Sequence, residues 1–319
     1  MDLFPKIRPY RHGYLYVGDG HELYYELCGN PNGKPVLFVH GGPGAGCSKG
    51  SRRYFNPKKW NIILFDQRGA GRSKPFCSTK ANTTWKLVGD IRKVLQFLGV
   101  KRAFLFGGSW GSTLSLAYAI KYPKTVTGML LRGVFLGREK DIAYTYGGGA
   151  EEYFPEAWER FVSKVPNHFR SGKKGVIDYY VKMMRSRNRK LAGKYAFEFA
   201  YYELSLIKLN MPDKAVRKDL KGFSYRSMGV IESYYMKHNC FLPDNYILKN
   251  AGKIRRLKIP VSIVQGRYDV LCPPMQAWLL HKALPKSRIH FATAGHASSE
   301  PKIQSRLVEE MKRFSKIIR

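Results

Sequence analysis

The segment Gly107-Gly108-Ser109-Trp110-Gly111 constrains this chain more than any other. It reads G-x-S-x-G, between an apolar β-run at 102–106 and a helical pattern at 113–119. A serine on so tight a strand-to-helix turn has its hydroxyl pushed clear of the sheet. The turn closes only if its neighbours are small. Gly107 and Gly111 meet that need, two residues to either side. The following helix aims its first amides at the same point, which favours negative charge there.

The first 135 residues alternate strands and helices. Stretches 14–16 and 22–27 predict a hairpin around Gly18-Asp19-Gly20. Short continuous apolar runs at 36–39 and 62–65 predict strands buried on both faces. Stretch 84–98 predicts an amphipathic helix with Leu87, Ile91, Val94, Leu95 and Leu98 on one face and Thr83 or Thr84 as its cap. A strand at 103–106, a helix at 110–121 and a strand at 126–131 follow. This order predicts an α/β fold with a mostly parallel, doubly wound sheet. From about residue 137 to 253 the pattern is helical, aromatic and charged, without clear strands. The α/β rhythm then resumes, with strands at 261–264 and 289–292 and helices at 274–284 and 302–318. The simplest organisation is a core of residues 1–136 and 254–319 with a helical cap, 137–253, inserted in it.

The chain has 319 residues, enough for a sizeable core. No stretch approaches 18 consecutive apolar residues, and the first residues lack the apolar region of a secretory signal. Five scattered cysteines without C-x-x-C suit free thiols in a reducing cytoplasm. The eight histidines show no metal-ligand spacing, so neither a metal nor a cofactor is expected. Lysine and arginine total 56 against 23 acidic residues, a formal charge of +33. The densest basic run, Lys182 to Lys194, reads as a solvated face, and no nucleic-acid or membrane partner is expected. A polyanion-binding protein is the rival reading.

A serine hydroxyl needs a base to take its proton, and a histidine base needs a carboxylate to fix its tautomer. In α/β-hydrolases the partners follow the serine in the order acid, then histidine, each after a strand. Asp269, in Gly266-Arg267-Tyr268-Asp269, and His296, in Ala294-Gly295-His296-Ala297, hold those positions. Two backbone amides must stabilise the oxyanion. Trp110 follows the serine. Gly42, in His40-Gly41-Gly42-Pro43-Gly44-Ala45-Gly46, follows the strand at 36–39.

These segments, with Asp66-Gln67-Arg68-Gly69-Ala70-Gly71-Arg72-Ser73 and Cys272-Pro273, resemble the proline iminopeptidases over essentially the whole chain. The resemblance implies an α/β-hydrolase fold and a serine exopeptidase that releases N-terminal proline from small peptides through an acyl-enzyme. It implies that Glu203 and Glu232 recognise the cationic imino terminus, and that Phe135 and Tyr146 contact the proline ring. It assigns 66–73 to a structural turn. Tyr202 stands where relatives usually carry tryptophan, and Ser233-Tyr234-Tyr235-Met236 departs from the pattern after the second glutamate. Those changes bear on the width of the proline pocket. An esterase, amidase or lactonase on the same scaffold is the alternative, and oligomeric state stays open.

Overall fold

The structure, a computed structural model, describes residues 2–170, 175–221 and 224–318. Its centre is an eight-stranded sheet of order β1-β2-β4-β3-β5-β6-β7-β8. The strands are β1 (Pro9–Gly18), β2 (His21–Gly29), β3 (Lys34–Val39), β4 (Trp60–Phe65), β5 (Ala103–Gly108), β6 (Val126–Arg132), β7 (Val261–Gly266) and β8 (Arg288–Ala292). β1 and β2 form an antiparallel hairpin, and β2 runs antiparallel to β4. From β4 onward in that order, the strands β4, β3, β5, β6, β7 and β8 are all parallel to one another. The expected α/β class and each core strand are present, most a residue or two longer than expected. β1 differs more. It starts at Pro9 rather than residue 14, because Pro9 to Gly13 pair with Tyr25 to Cys28 although their outward side chains are polar or aromatic.

Helices α1 (Thr84–Phe97), α2 (Trp110–Lys121), α12 (Pro274–Ala283) and α13 (Pro301–Ile317) cover the sheet. In α1 the Thr83 side chain accepts from the Lys86 amide, and Leu87, Ile91, Val94 and Leu95 are buried. The helix stops before Leu98, which leaves helical geometry at ψ 1°, just ahead of Gly99 at φ +70°. α13 buries Ile303, Leu307, Val308, Met311 and Phe314 against Trp60 and Phe104 on the opposite face. Cutting one of these, as in Leu307→Ala, should cost about 2–5 kcal/mol.

Between β6 and β7 the chain forms α3 (Glu139–Tyr146), α4 (Pro155–Val162), α5 (Asn167–Arg170), α6 (Gly175–Met184), α7 (Arg189–Leu206), α8 (Asp213–Lys221), α9 (Tyr225–Lys237), α10 (Tyr246–Asn250) and α11 (Gly252–Arg256). No strand occurs among the described residues of this stretch. Its interior is aromatic: the rings of Phe161 and Tyr202 stack at 4.4 Å, and those of Tyr146 and Phe199 at 5.5 Å. The basic residues from Lys182 to Lys194 are all exposed, as expected of a solvated face.

Candidate active site

Ser109 sits between β5 and α2 with φ 57° and ψ −129°. A non-glycine residue there costs on the order of 1–3 kcal/mol. Its amide donates to the Arg132 carbonyl at 2.9 Å, anchoring the turn to β6. Small neighbours are mandatory. A Cβ on Gly107 would lie 2.3 Å from the Gly111 carbonyl oxygen, and one on Gly111 would lie 2.1 Å from that of Val39. Either would force helix and strand apart.

The loop after β3 lies against this turn. A Cβ on Gly41 would come within 3.2 Å of Ser109 Cβ, and Gly42 has φ +99°. Gln67 ties the two pieces together. Its side-chain amide donates to the His40 carbonyl at 2.8 Å, and its carbonyl accepts from the buried Trp110 indole at 3.0 Å. The rest of 66–73 is a braced turn. Asp66 accepts from the Cys47 amide and from Arg72, and buried Arg68 forks onto Asp90. Burial pushes the His40 pKa down.

Asp269 follows β7 and His296 follows β8. Asp269 Oδ2 accepts from His296 Nδ1 at 2.8 Å and from the Gln265 side-chain amide at 2.9 Å, and Oδ1 accepts from the Cys272 amide at 2.7 Å. The His296 amide donates to the Ile207 carbonyl at 3.0 Å, so the histidine loop is fastened to the end of α7. Burial is the main force lowering the His296 pKa. Asp269 opposes it and Arg132 adds to it.

Arg132 is the residue that sequence reasoning missed. It ends β6 beside Gly108 of the elbow. Its Nη1 lies 2.9 Å from His296 Nε2 and 3.0 Å from the His296 carbonyl. A guanidinium can only donate. Nε2 must therefore be the unprotonated nitrogen, with the ring hydrogen on Nδ1 facing Asp269. Its only sequence signal is a cation closing an otherwise apolar strand, which reads as an ordinary solvated strand end.

Two cavities meet at Ser109. The outer one, about 680 Å³, is bordered by Gly42, Ser109, Arg132, Glu203, Glu232 and His296. The inner one, about 20 Å³, shares Gly42, Ser109 and the two glutamates and adds Phe135, Tyr146, Met236 and Cys272. The nine site residues chosen from sequence thus converge: seven border these cavities, Asp269 stands behind His296, and Trp110 follows Ser109 in the turn. Of the departures from the family pattern, Met236 borders the inner cavity. Tyr202 packs on Phe161 and donates to the Thr145 carbonyl, and Tyr234 packs on His238 and Phe241, both away from it.

At the inner end, Tyr146 Oη bonds to Glu203 Oε1 and lies 3.4 Å from Glu232 Oε1. Glu232 Oε2 is buried without a partner. Burial pushes Glu203 up to about 7, against the pull of the Tyr146 hydrogen bond. Burial and then the neighbouring Glu203 charge hold Glu232 well above the ordinary carboxylate range.

An α/β-hydrolase fold family matches residues 34–302. A probable proline iminopeptidase of Leptolyngbya boryana is 43% identical over 98% of this chain and 96% of its own length. A proline iminopeptidase of Arabidopsis thaliana is 42% identical over 97% of this chain and 82% of its own length. Among solved structures, an esterase from Exiguobacterium antarcticum superposes with a TM-score of 0.64 at 17% identity, covering 95% of this chain and 98% of its own, a likeness of fold alone. The chain belongs to the α/β-hydrolases and, among them, to the proline iminopeptidase family.

Proposed function

We propose that this chain releases N-terminal proline from peptides, with Ser109 as nucleophile, His296 as base and Asp269 as the group that orients His296. Ser109 Oγ attacks the prolyl carbonyl carbon while its proton passes to His296 Nε2. That lone pair serves one partner at a time, so Arg132 gives way as the proton arrives. The developing oxyanion faces the amides of Gly42 and Trp110. The C–N bond then breaks, and His296 returns the proton to the leaving amine. Water attacks the prolyl-serine ester, gives its proton to His296, and proline leaves as serine regains its hydrogen. The helical stretch 137–253 serves as a cap that supplies the far wall of the pocket, and Phe135 and Tyr146 flank the ring. Small peptides in the cytoplasm are the proposed substrates, in keeping with the free cysteines and with the absence, among the described residues, of any helix able to cross a membrane.

One observation carries this reading. Two buried carboxylates, one with an unpartnered oxygen, border the same small cavity as Ser109. Buried carboxylates are costly unless a cation meets them, and an N-terminal proline brings one. The test is hydrolysis of prolyl arylamide against its N-acetylated form and a small neutral ester. Strong preference for the free imino substrate is expected. Preference for the acetylated substrate would replace this reading with an esterase or amidase.

A further inference from the structure

We propose that the outward face of the β1–β2 hairpin binds single-stranded nucleic acid. On β1, alternate residues point to one side of the sheet. From His12 onward, where the register with β2 is unbroken, that side carries His12, Tyr14 and Tyr16, all exposed, the two tyrosines at 45% and 65%. Three exposed aromatic rings within five residues of one strand form a cluster, and such clusters mark interaction sites. The next strand extends it. Tyr24 of β2 lies opposite Tyr14, with ring centroids 5.6 Å apart, and His12 stacks on Tyr24 at 6.3 Å.

Cations are interleaved with these rings. The Arg72 guanidinium lies 3.8 Å from the Tyr24 centroid and Lys74 Nζ 4.4 Å from that of Tyr14. Arg8, just before the strand, is exposed. One exposed carboxylate, Glu22, faces Lys74 at 3.7 Å, whereas Glu26 is buried beneath Arg52 and Arg72. Flat π-faces for bases and cations for phosphates are the two elements that single-strand binders combine on sheet surfaces. The charge of +33 draws polyanions to the whole protein, and this face adds the stacking. A membrane fits it less well, because bilayer insertion uses an apolar face and these rings carry polar tips. β1 lies four strand positions from β5, roughly 19 Å at ordinary strand spacing, so occupancy should leave Ser109 free. The sequence alone predicts no nucleic-acid partner, since its basic residues are spread along the chain and read as a solvated face.

The test is fluorescence anisotropy with labelled oligonucleotides of about 12 nucleotides, single-stranded RNA, single-stranded DNA and a DNA duplex, at about 100 mM salt. Single strands should bind at least about fivefold tighter than duplex. The double variant Tyr14→Ala/Tyr16→Ala should weaken single-strand binding at least about tenfold, and Lys74→Glu by several-fold. Prolyl-arylamide turnover should stay within about twofold, which certifies folding. If the double variant does not fold, Tyr16→Ser with Lys74→Glu takes its place. A control with Arg187, Arg189, Lys190 and Lys194 changed to Gln should weaken single strands less than the tyrosine variant does. Three results would overturn the proposal: tyrosine variants that bind like wild type, no preference of single strands over duplex, or tyrosine-dependent binding to phosphatidylserine vesicles without oligonucleotide binding.

Discussion

Asp269 and the pair Glu203–Glu232 are carboxylates buried within one site, yet their surroundings differ. Asp269 lies at a strand end and accepts from His296, Gln265 and the Cys272 amide, so each oxygen has a donor. The glutamates come from α7 and α9 and share one hydroxyl, that of Tyr146, and one oxygen has no partner. A carboxylate whose donors are built in is a fixed part of the machinery. A pair left short of donors is complete only when a cation arrives. On the proposed reading, the sheet furnishes the reacting groups ready-made, and the helical stretch furnishes a demand that substrate satisfies.

The sharpest way to break this comparison is at its hinge, Ser109, which borders both cavities. Ser109→Ala should lower prolyl-arylamide turnover by on the order of 10⁴ or more while the fold survives. A folded variant that kept a tenth of the wild-type rate would exclude Ser109 as nucleophile. Next is Asp269→Asn. It keeps the shape but offers an amide where His296 needs an acceptor, and a drop of roughly 10³–10⁴ in kcat is expected. If Asp269 orients His296 as proposed, a small neutral ester should lose the same factor. Loss confined to the prolyl substrate would place Asp269 in recognition instead.

Glu203→Gln and Glu232→Gln probe the other side. Charge-assisted hydrogen bonds contribute roughly 1.5–3 kcal/mol each, so each change should cut kcat/KM for free prolyl substrates by about 10- to 150-fold. The neutral ester should be nearly untouched. Equal losses on both substrates would make the glutamates structural and erase the contrast.

The two sides also differed in how far they could be read from sequence. β3 to β8 each carry a short apolar-rich run, and Ser109, Asp269 and His296 follow β5, β7 and β8, so topology alone brings them to one sheet edge. Strand ends escaped because Lys34, Trp60 and Arg132 pair in the ladder without prolonging the apolar pattern. Arg132 was illegible for a related reason: only the tertiary approach of the loop after β8 reveals that it reaches His296. The glutamates were identified by family resemblance, since a helix carrying Glu203 in Tyr201-Tyr202-Glu203-Leu204 has no local mark of function. What unites them, a tyrosine hydroxyl from a third helix, lies 57 and 86 residues away in sequence.

The smallest expected effect is in the pH profiles, and it separates the two sides most finely. Glu203 is held up at about 7, so the pair loses charge as pH falls through 7. An N-terminal amine titrates near 7.7–8.0, so the substrate stays cationic throughout that descent. Protonation of the glutamates alone then weakens binding, and kcat/KM should fall about tenfold per pH unit below about 7. His296 sits below its ordinary value, chiefly because it is buried, and must be neutral to serve as the proposed base. Its loss of activity therefore lies at lower pH, under about 6.5. The neutral ester reads only the histidine, and its profile should stay flat through the range where the prolyl substrate declines. Glu203→Gln removes one member of the pair and should move the prolyl limb, leaving the ester limb where it was. The same linkage reaches stability. A carboxyl whose folded pKa is raised, as that of Glu232 is, holds its proton when the unfolded chain has released it, so it erodes stability as pH rises above the ordinary carboxylate range. Glu232→Gln should thus raise Tm by a few degrees at pH 8 and leave it nearly unchanged at pH 4. If instead both substrates lost activity along one common acid limb, and Tm did not respond to Glu232→Gln, the glutamates would be as self-sufficient as Asp269.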